Sequence, residues 1–440
     1  MRLLHRRTDG LARRVRRAVG SGARAVGAAA LAAAISVTAL PGAVSAGGTD
    51  LPADVRFATF NASLNRSVEG QLIADLSTAD NAQASTVAEI VQRVRPAVLL
   101  VNEFDYDADG VSLGLFQDNY LSVAHNGAEP ISYPYRYSAP SNTGIPSGFD
   151  LDNDGVLGEA DDALGFGFFP GQYGMAVYSM HPIDTAAVRT FQNFLWKDMP
   201  NALLPDDPTT PEPADWFSAE ELDVVRLSSK SHWDIPVEIE GETVHFLVSH
   251  PTPPVFDGDE DRNGRRNHDE IKFWRQYLKP KRAGYIYDDA GVLGGLPHGV
   301  QAVVAGDQNA DPLDGDSVED AADQLLQHRR LNDPSPASVG GPEAAEIQGG
   351  ANETHVGDPL YDTADFDDVA PGNLRVDYVL PSRGLLLRGS GVFWPATNDP
   401  LYYLTGAYDP TLPGAFPSSD HRLVWTDVQV RNTTVSSPAP

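Results

Sequence analysis

The chain has 440 residues with 61 acidic against 32 basic side chains, a formal charge of −29. That balance excludes long-range capture of a polyanion, so any phosphate group must be gripped locally. A hydrophobic fraction of 41% excludes a disordered chain, and the lack of cysteine excludes disulfide staples and thiol chemistry.

In chain order, the first stretch reads as a signal peptide over residues 1–46, which predicts a secreted protein. Arg2, Arg6, Arg7, Arg13, Arg14, Arg16 and Arg17 form a basic region, and AVGAAALAAAISVTALPGAVSA follows as an apolar core. Val44-Ser45-Ala46 gives a small-x-small cleavage pattern before Gly47. A single membrane anchor is the alternative, for which the Ala-rich core is weak. The export route stays open, since no clean twin-arginine pattern is present. Cleavage would leave 24 basic and 60 acidic residues, a net charge of −36.

Residues 47–431 are predicted to form one domain with long loop insertions, and 432–440 a flexible polar tail. DVRFATFNASL alternates and reads as a strand running from edge to core; STVAEIVQRV has helical spacing; AVLLVNEF is a second, buried strand. Residues 105–170 are loop-rich. YGMAVYSMHPI and AAVRTFQNF read as strands, and the Pro-rich 195–225 as a surface insertion. DIPVEIEGETVHFLVSH is a hairpin turning at Glu240-Gly241-Glu242, and HDEIKFWRQYL is a helix. VQAVVA is a buried strand, 311–368 is irregular, and RVDYVLP and SSDHRLVWTDVQV complete the pattern. Strands outnumber interspersed helices, which suggests sheets flanked by helices.

Several of these strands end on polar residues that do not belong in a core: Asn61, Glu103, His250, Asp307 with Asn309, Asp377, and Asp420 with His421. Each alone has a structural explanation. Asp307 and Asn309, two apart and so on one face of a strand, are either a polar turn or half of a site for a metal and a water. Jointly, hard oxygen donors and two imidazoles fit metal-assisted phosphoryl chemistry.

The ordered motifs FN, NE, SHP, GDQNA, RVDYVL and SDH resemble the endonuclease/exonuclease/phosphatase superfamily, over residues 55–428. The resemblance implies an α/β fold, a four-layer sandwich of two packed mixed β-sheets with helices outside and the site at one end. It implies that Glu103 binds a catalytic Mg²⁺ or Mn²⁺, with Asn61 and Asp420 as direct or water-mediated partners. Asp307 and Asn309 would position the attacking water and the scissile phosphate, and Asp377 would hold His421 as base or as cation. His250 matches the second catalytic histidine of the deoxyribonuclease and sphingomyelinase branches. The pattern departs at Gln172, which stands where a carboxylate would orient that histidine. Lys230 is the candidate for gripping phosphate.

Two stretches fit the twelve-residue calcium-loop spacing. Asp150, Asp152, Asp154 and Asp161 belong to one; Asp259, Asp261, Asn263 and Glu270 belong to the other. The alternative for the second is a charged, solvated loop, because Arg265 and Arg266 would crowd the cation, or would instead face the site as phosphate ligands. The resulting expectation is a secreted, monomeric, metal-dependent hydrolase of phosphate esters without a stable protein partner, acting on nucleic acid, nucleotide or lipid head group. Phosphodiester cleavage leads, because His250 matches the diesterase branches; phosphomonoesterase or sphingomyelinase-like activity is the alternative. A binding or adhesion module on the same fold is the non-enzyme alternative.

Overall fold

Runs of β-branched and apolar residues form the interior strands of two sheets, and the computed structural model describes them within residues 54–430, residue 319 apart. The expected signal peptide and the 432–440 tail lie outside the described residues. In chain order the strands are β1 (Asp54–Leu64), β2 (Val98–Phe104), β3 (Tyr135–Tyr137), β4 (Met175–Ser179) and β5 (Arg189–Thr190). Then come β6 (His232–Ile239), β7 (Glu242–Ser249), β8 (Gln301–Asp307), β9 (Ala364–Asp365) and β10 (Asn373–Leu374). β11 (Asp377–Pro381), β12 (Leu386–Val392) and β13 (Val424–Gln429) follow.

One sheet has the order β12-β13-β1-β2-β4-β3 and the other β11-β8-β7-β6-β5, while β9 and β10 pair separately. Both large sheets are mixed: β1 runs parallel to β2 and β7 parallel to β8, with antiparallel neighbours outside. Their facing sides share a core that includes Phe57, Leu100, Val177, Ile235, Phe246, Val303 and Val428. The rings of Phe57 and Phe246 meet across it at 5.5 Å.

Because side chains alternate along a strand, β1 turns Phe57 to that core and Ala58, Phe60 and Ala62 to an outer one. There they meet Val87, Ile90 and Val91 of the helix Ala82–Val94. Asn81 caps this helix by accepting the Ala84 N–H at 2.9 Å. On the other side Ile271, Phe273 and Trp274 of the helix Arg262–Tyr277 pack with Leu247 and Val304. Helix, sheet, sheet, helix: the four-layer α/β sandwich is the architecture.

Five sequence expectations need correction. β1 is not an edge strand but sits between β13 and β2, buried on both faces. AAVRTFQNF supplies only the two-residue β5; its Phe191 and Phe194 point into the helix-side core instead. The Pro-rich 195–225 segment is anchored rather than superficial, because Trp196, Met199, Phe217 and Val225 are all buried in that core. Within 105–170 there is a helix, Val111–Phe116, continued by a π-turn over Gln117–Leu121. The hairpin turn is tighter than expected: Ile239 pairs with Glu242, so Glu240 and Gly241 alone make it, at φ +54° and +88°.

Candidate active site at the strand ends

The C-terminal ends of β1, β2, β7 and β8 lie together, and irregular backbone re-aims their last side chains into one cleft. In β1 the register slips between Asn61 and Leu64, with Ser63 at φ +48°. Asn61 Nδ2 thereby donates to Glu103 Oε1 and to Asp307 Oδ2, both at 3.1 Å, and ties one sheet to the other. Glu103, closing β2, holds a left-handed φ of +57°, the kind of strain that persists where surrounding contacts fix it.

Glycine has a specific use in β8. Gly306 has φ +144°, and a Cβ there would lie 2.0 Å from the Ser249 carbonyl oxygen. Only the missing side chain lets the end of β8 approach the end of β7, which sets Asp307 beside His250. Asp307 and Asn309 do not share a strand face as their spacing suggests, since β8 ends at Asp307 and Asn309 lies beyond it at φ +51°. Asp307 Oδ1 instead accepts the Asn309 N–H at 2.8 Å, and Asn309 Nδ2 donates to the Pro251 carbonyl at 3.1 Å. That turn keeps Asn309 on the cleft wall.

Register across β8 and β11 places Asp377 directly opposite Asp307, two buried carboxylates that would repel each other but for the imidazole between them. His421 Nδ1 donates to Asp377 Oδ2 at 2.9 Å, and its Nε2 lies 3.6 Å from Asp307 Oδ2. Thr363 steadies Asp377, its hydroxyl donating to Oδ2 at 2.9 Å while accepting the Asp377 N–H at 3.0 Å. Burial disfavours a charged His421, but Asp377 and Asp307 outweigh it and lift its pKa well above the ordinary histidine value. Burial would raise Asp307, yet His421 and His250 bring it well below the usual carboxylate range.

His250 is the opposite case. Its Nε2 lies 3.3 Å from Asp307 Oδ2 and its buried Nδ1 has no hydrogen-bond partner among the described residues. Burial, with the nearby Lys230 charge, lowers its pKa to about 4, so the ring is neutral at pH 7. The expected orienting role of Gln172 does not occur. Its Nε2 donates to the Arg66 carbonyl at 2.7 Å and its Oε1 accepts the Phe168 N–H at 2.8 Å, so it joins loops instead.

The donor set at the β1–β2 end suits a divalent cation. Glu103 is raised by burial and then by the charge of Asp420, a repulsion that a cation between the two carboxylates would reverse. Asp420 Oδ1 accepts from Ser63 and Ser419 at 3.3 and 3.2 Å. Glu103 Oε2 accepts from Asn65 Nδ2 at 2.6 Å. Asn61 and Asn65 therefore orient Glu103 through their amide groups. Asp307, Asp377 and His421 also bring ligand atoms within 4.8 Å of one another, but the shared imidazole marks that trio as a proton-holding group.

Lys230 is buried and lines the same cleft. Burial lowers its pKa, opposed by Glu270, Glu103 and Asp307. Asn65 and Thr363 escaped the sequence reading because they stand among ordinary loop residues; only their distance to Glu103 and Asp377 distinguishes them.

The calcium expectations divide. Residues 262–270 are helical, so Asn263, Gly264 and Glu270 cannot form a loop with Asp259 and Asp261, and the second site is withdrawn. Glu270 is instead buried, accepting the Ser229 and Thr252 N–H groups at 2.7 and 2.6 Å. Arg266 does line the cleft, as the alternative for this stretch has it, with its Nε and Nη2 donating to backbone carbonyls of Leu227, Leu164, Arg226 and Ser228. In the first loop Asp150 and Asp152 do converge, but with Asp162 rather than Asp161. Asp161 lines the cleft, and Asp154 accepts the Val156 N–H at 2.7 Å.

The model of the Endonuclease/Exonuclease/phosphatase family matches residues 58–421. A comparison with curated proteins finds no match. Among solved structures, an endonuclease/exonuclease/phosphatase from Beutenbergia cavernae DSM 12333 is 15% identical with a TM-score of 0.45, covering 87% of this chain and 73% of that one. A mannosyl-6-phosphatase from Bacteroides thetaiotaomicron VPI-5482 is 12% identical at a TM-score of 0.42, over 85% of this chain and 99% of that one. Sphingomyelinase C from Streptomyces griseocarneus is 13% identical at 0.44, again over 85% and 99%.

Proposed function

The chain belongs to the endonuclease/exonuclease/phosphatase family, a family of phosphate-ester hydrolases, and from that premise we propose that it is an exported, divalent-metal-dependent phosphodiesterase. The observation that carries the choice of diester over monoester is the charge at the reacting end. Glu103, Asp307 and Asp420 stand against Lys230 there, with His421 offset by Asp377 and Arg266 by the buried Glu270. One divalent cation brings that set to neutrality, which suits a monoanionic diester better than a dianionic monoester.

In this reading Glu103 and Asp420 would hold the Mg²⁺ or Mn²⁺, with Asn61 setting the Glu103 carboxylate. The ion, when bound, supplies polarisation of a phosphoryl oxygen. The chain's own groups do the rest. Asp307, ionised and held by Asn61, accepts a hydrogen bond from the attacking water and aligns it with phosphorus. The imidazolium of His421 faces the developing charge on the phosphoryl oxygens, and Asp377 fixes its ring. Lys230 adds a second cation, and Asn309 positions the phosphate. His250, neutral with its Nε2 toward Asp307, orients that carboxylate.

Initial rates on bis-p-nitrophenyl phosphate and p-nitrophenyl phosphate with Mg²⁺, Mn²⁺ or Ca²⁺ test this. Faster cleavage of the diester is expected; a preference for the monoester would refute it. Export rests on residues 1–46 alone, and a secreted product starting at Gly47 by mass is its check. The Asp150–Asp152–Asp162 cluster is proposed as a structural calcium site, supported by a buried Asp150 Oδ1 without a hydrogen-bond partner among the described residues.

A further inference from the structure

Beyond Glu103, Asp307 and His421, the same cleft of about 920 Å³ continues over a wall of Leu151, Leu164, Trp196, Phe217 and Val225. The chemistry described above uses none of these five. They reach the cleft from segments up to 74 positions apart, the first from the loop at 150–162 and the last from the Pro-rich insertion. These five side chains carry a single polar atom, the Trp196 indole N–H, and it already donates to Asp269 Oδ2 at 2.8 Å.

Beside the exposed carboxylates Asp161, Asp316 and Asp367, exposed aromatic rings also stand at the mouth. Phe256 lines it, is 83% exposed, and holds φ +68°, a left-handed conformation that a bulky residue adopts only at a cost. Phe166, also lining the cleft, packs against Phe168 at 5.6 Å and Tyr173 at 6.3 Å between ring centres, and Phe168 is 68% exposed. Large aromatic groups held in water beside a pocket mark a contact surface.

We propose that this wall is a hydrocarbon subsite, so that the phosphodiester taken by the enzyme carries an alkyl chain, as in a neutral or zwitterionic phospholipid. The proposal rests on the phosphodiesterase reading and adds the substrate class to it. A nucleobase fits less well, since its edge donors and acceptors would meet no partner on this wall and lose their hydration. The excess of acidic residues points the same way, by disfavouring nucleic acid and anionic lipid surfaces.

The test is a series of alkyl p-nitrophenyl phosphodiesters from methyl to octyl, used as monomers, in which phosphorus and leaving group stay constant. Full burial of each methylene is worth roughly fourfold in kcat/KM, so burying only two or three of those added from methyl to octyl gives a gain of about thirtyfold, the least that is expected. Phe217→Ser should flatten the series. Phe256→Ser, a surface change that leaves folding intact, should lower octyl but not methyl turnover.

A flat series with normal methyl turnover overturns the subsite and leaves the phosphodiesterase reading standing. No turnover of any diester overturns that reading itself. A dinucleotide cleaved faster than the octyl ester replaces the lipid by a nucleotide. Cleavage of phosphatidylcholine vesicles as well as the octyl monomer assigns the chain to a membrane source; cleavage of the monomer alone supports the subsite with a soluble source.

Discussion

Replacing Asp377 by asparagine isolates the electrostatics of the site. The side chain is fully buried, and its Oδ2 receives the His421 Nδ1–H at 2.9 Å. Two unit charges at that separation attract by roughly 6 kcal/mol at an effective dielectric near 20, about four pKa units. Burial alone lowers the His421 pKa, and without the Asp377 charge only Asp307 and Asp420 still oppose it, so the protonated fraction of the ring should fall. Asparagine preserves volume and can keep the Thr363 contact, so the fold should survive. The expected loss in kcat on bis-p-nitrophenyl phosphate at saturating Mg²⁺ is about a hundredfold to a thousandfold. The residual rate should rise as pH falls and the ring regains its proton. Circular dichroism and a kcat–pH profile of variant and wild type are the assay. A variant within about threefold of wild type, or one with an unchanged profile, would refute the role given to this pair.

Glu103→Gln should lower turnover at about 1 mM Mg²⁺ by about a hundredfold. Higher metal should restore part of it, and an equal defect at every metal concentration would argue against a ligand role. Asp362 is 7% exposed, and burial followed by the charges of Asp311, Asp314 and Asp358 pushes its pKa up to about 8. A carboxyl raised above its unfolded value near 3.9 stays protonated in the folded state, so wild type loses stability as pH rises from about 4 to about 8. Asp362→Asn should therefore match wild type in urea near pH 4 and exceed it by a few kcal/mol near pH 8; a constant difference at both would contradict this. Calcium at about 1 mM should raise the melting temperature by a few degrees, and Asp152→Asn should abolish the rise; a melting temperature indifferent to calcium would remove the site.

Local pattern determined the strands and the chemistry at their ends. The apolar runs around Leu99–Val101 and Ala302–Ala305 can only be covered strands, and Asn61, Glu103, His250, Asp307 and His421 were visible as polar residues at the ends of such runs. Asp377 was visible for the same reason, as a carboxylate among apolar neighbours. The family motifs supplied the order of these islands and hence the sandwich. What remained for the tertiary structure were choices between partners far apart in the chain. Gln172 is adjacent in pattern to the site but is captured by Arg66 and Phe168. The 259–270 stretch has calcium-loop spacing, yet Ile271, Phe273 and Trp274 need a helix to reach the core, and that helix extends back over the would-be ligands. Asp162 rather than Asp161 faces Asp150 because its carboxylate also accepts the Leu151 and Gly158 N–H groups. The apolar wall is the extreme case, since Leu151 and Phe217 lie in loops and Trp196 opens a single 3₁₀ turn, in stretches whose sequence shows no period. Spacing reports which face of one element a residue occupies; it carries no information on which loop folds over which strand end, and the packing of buried side chains from distant segments decides that.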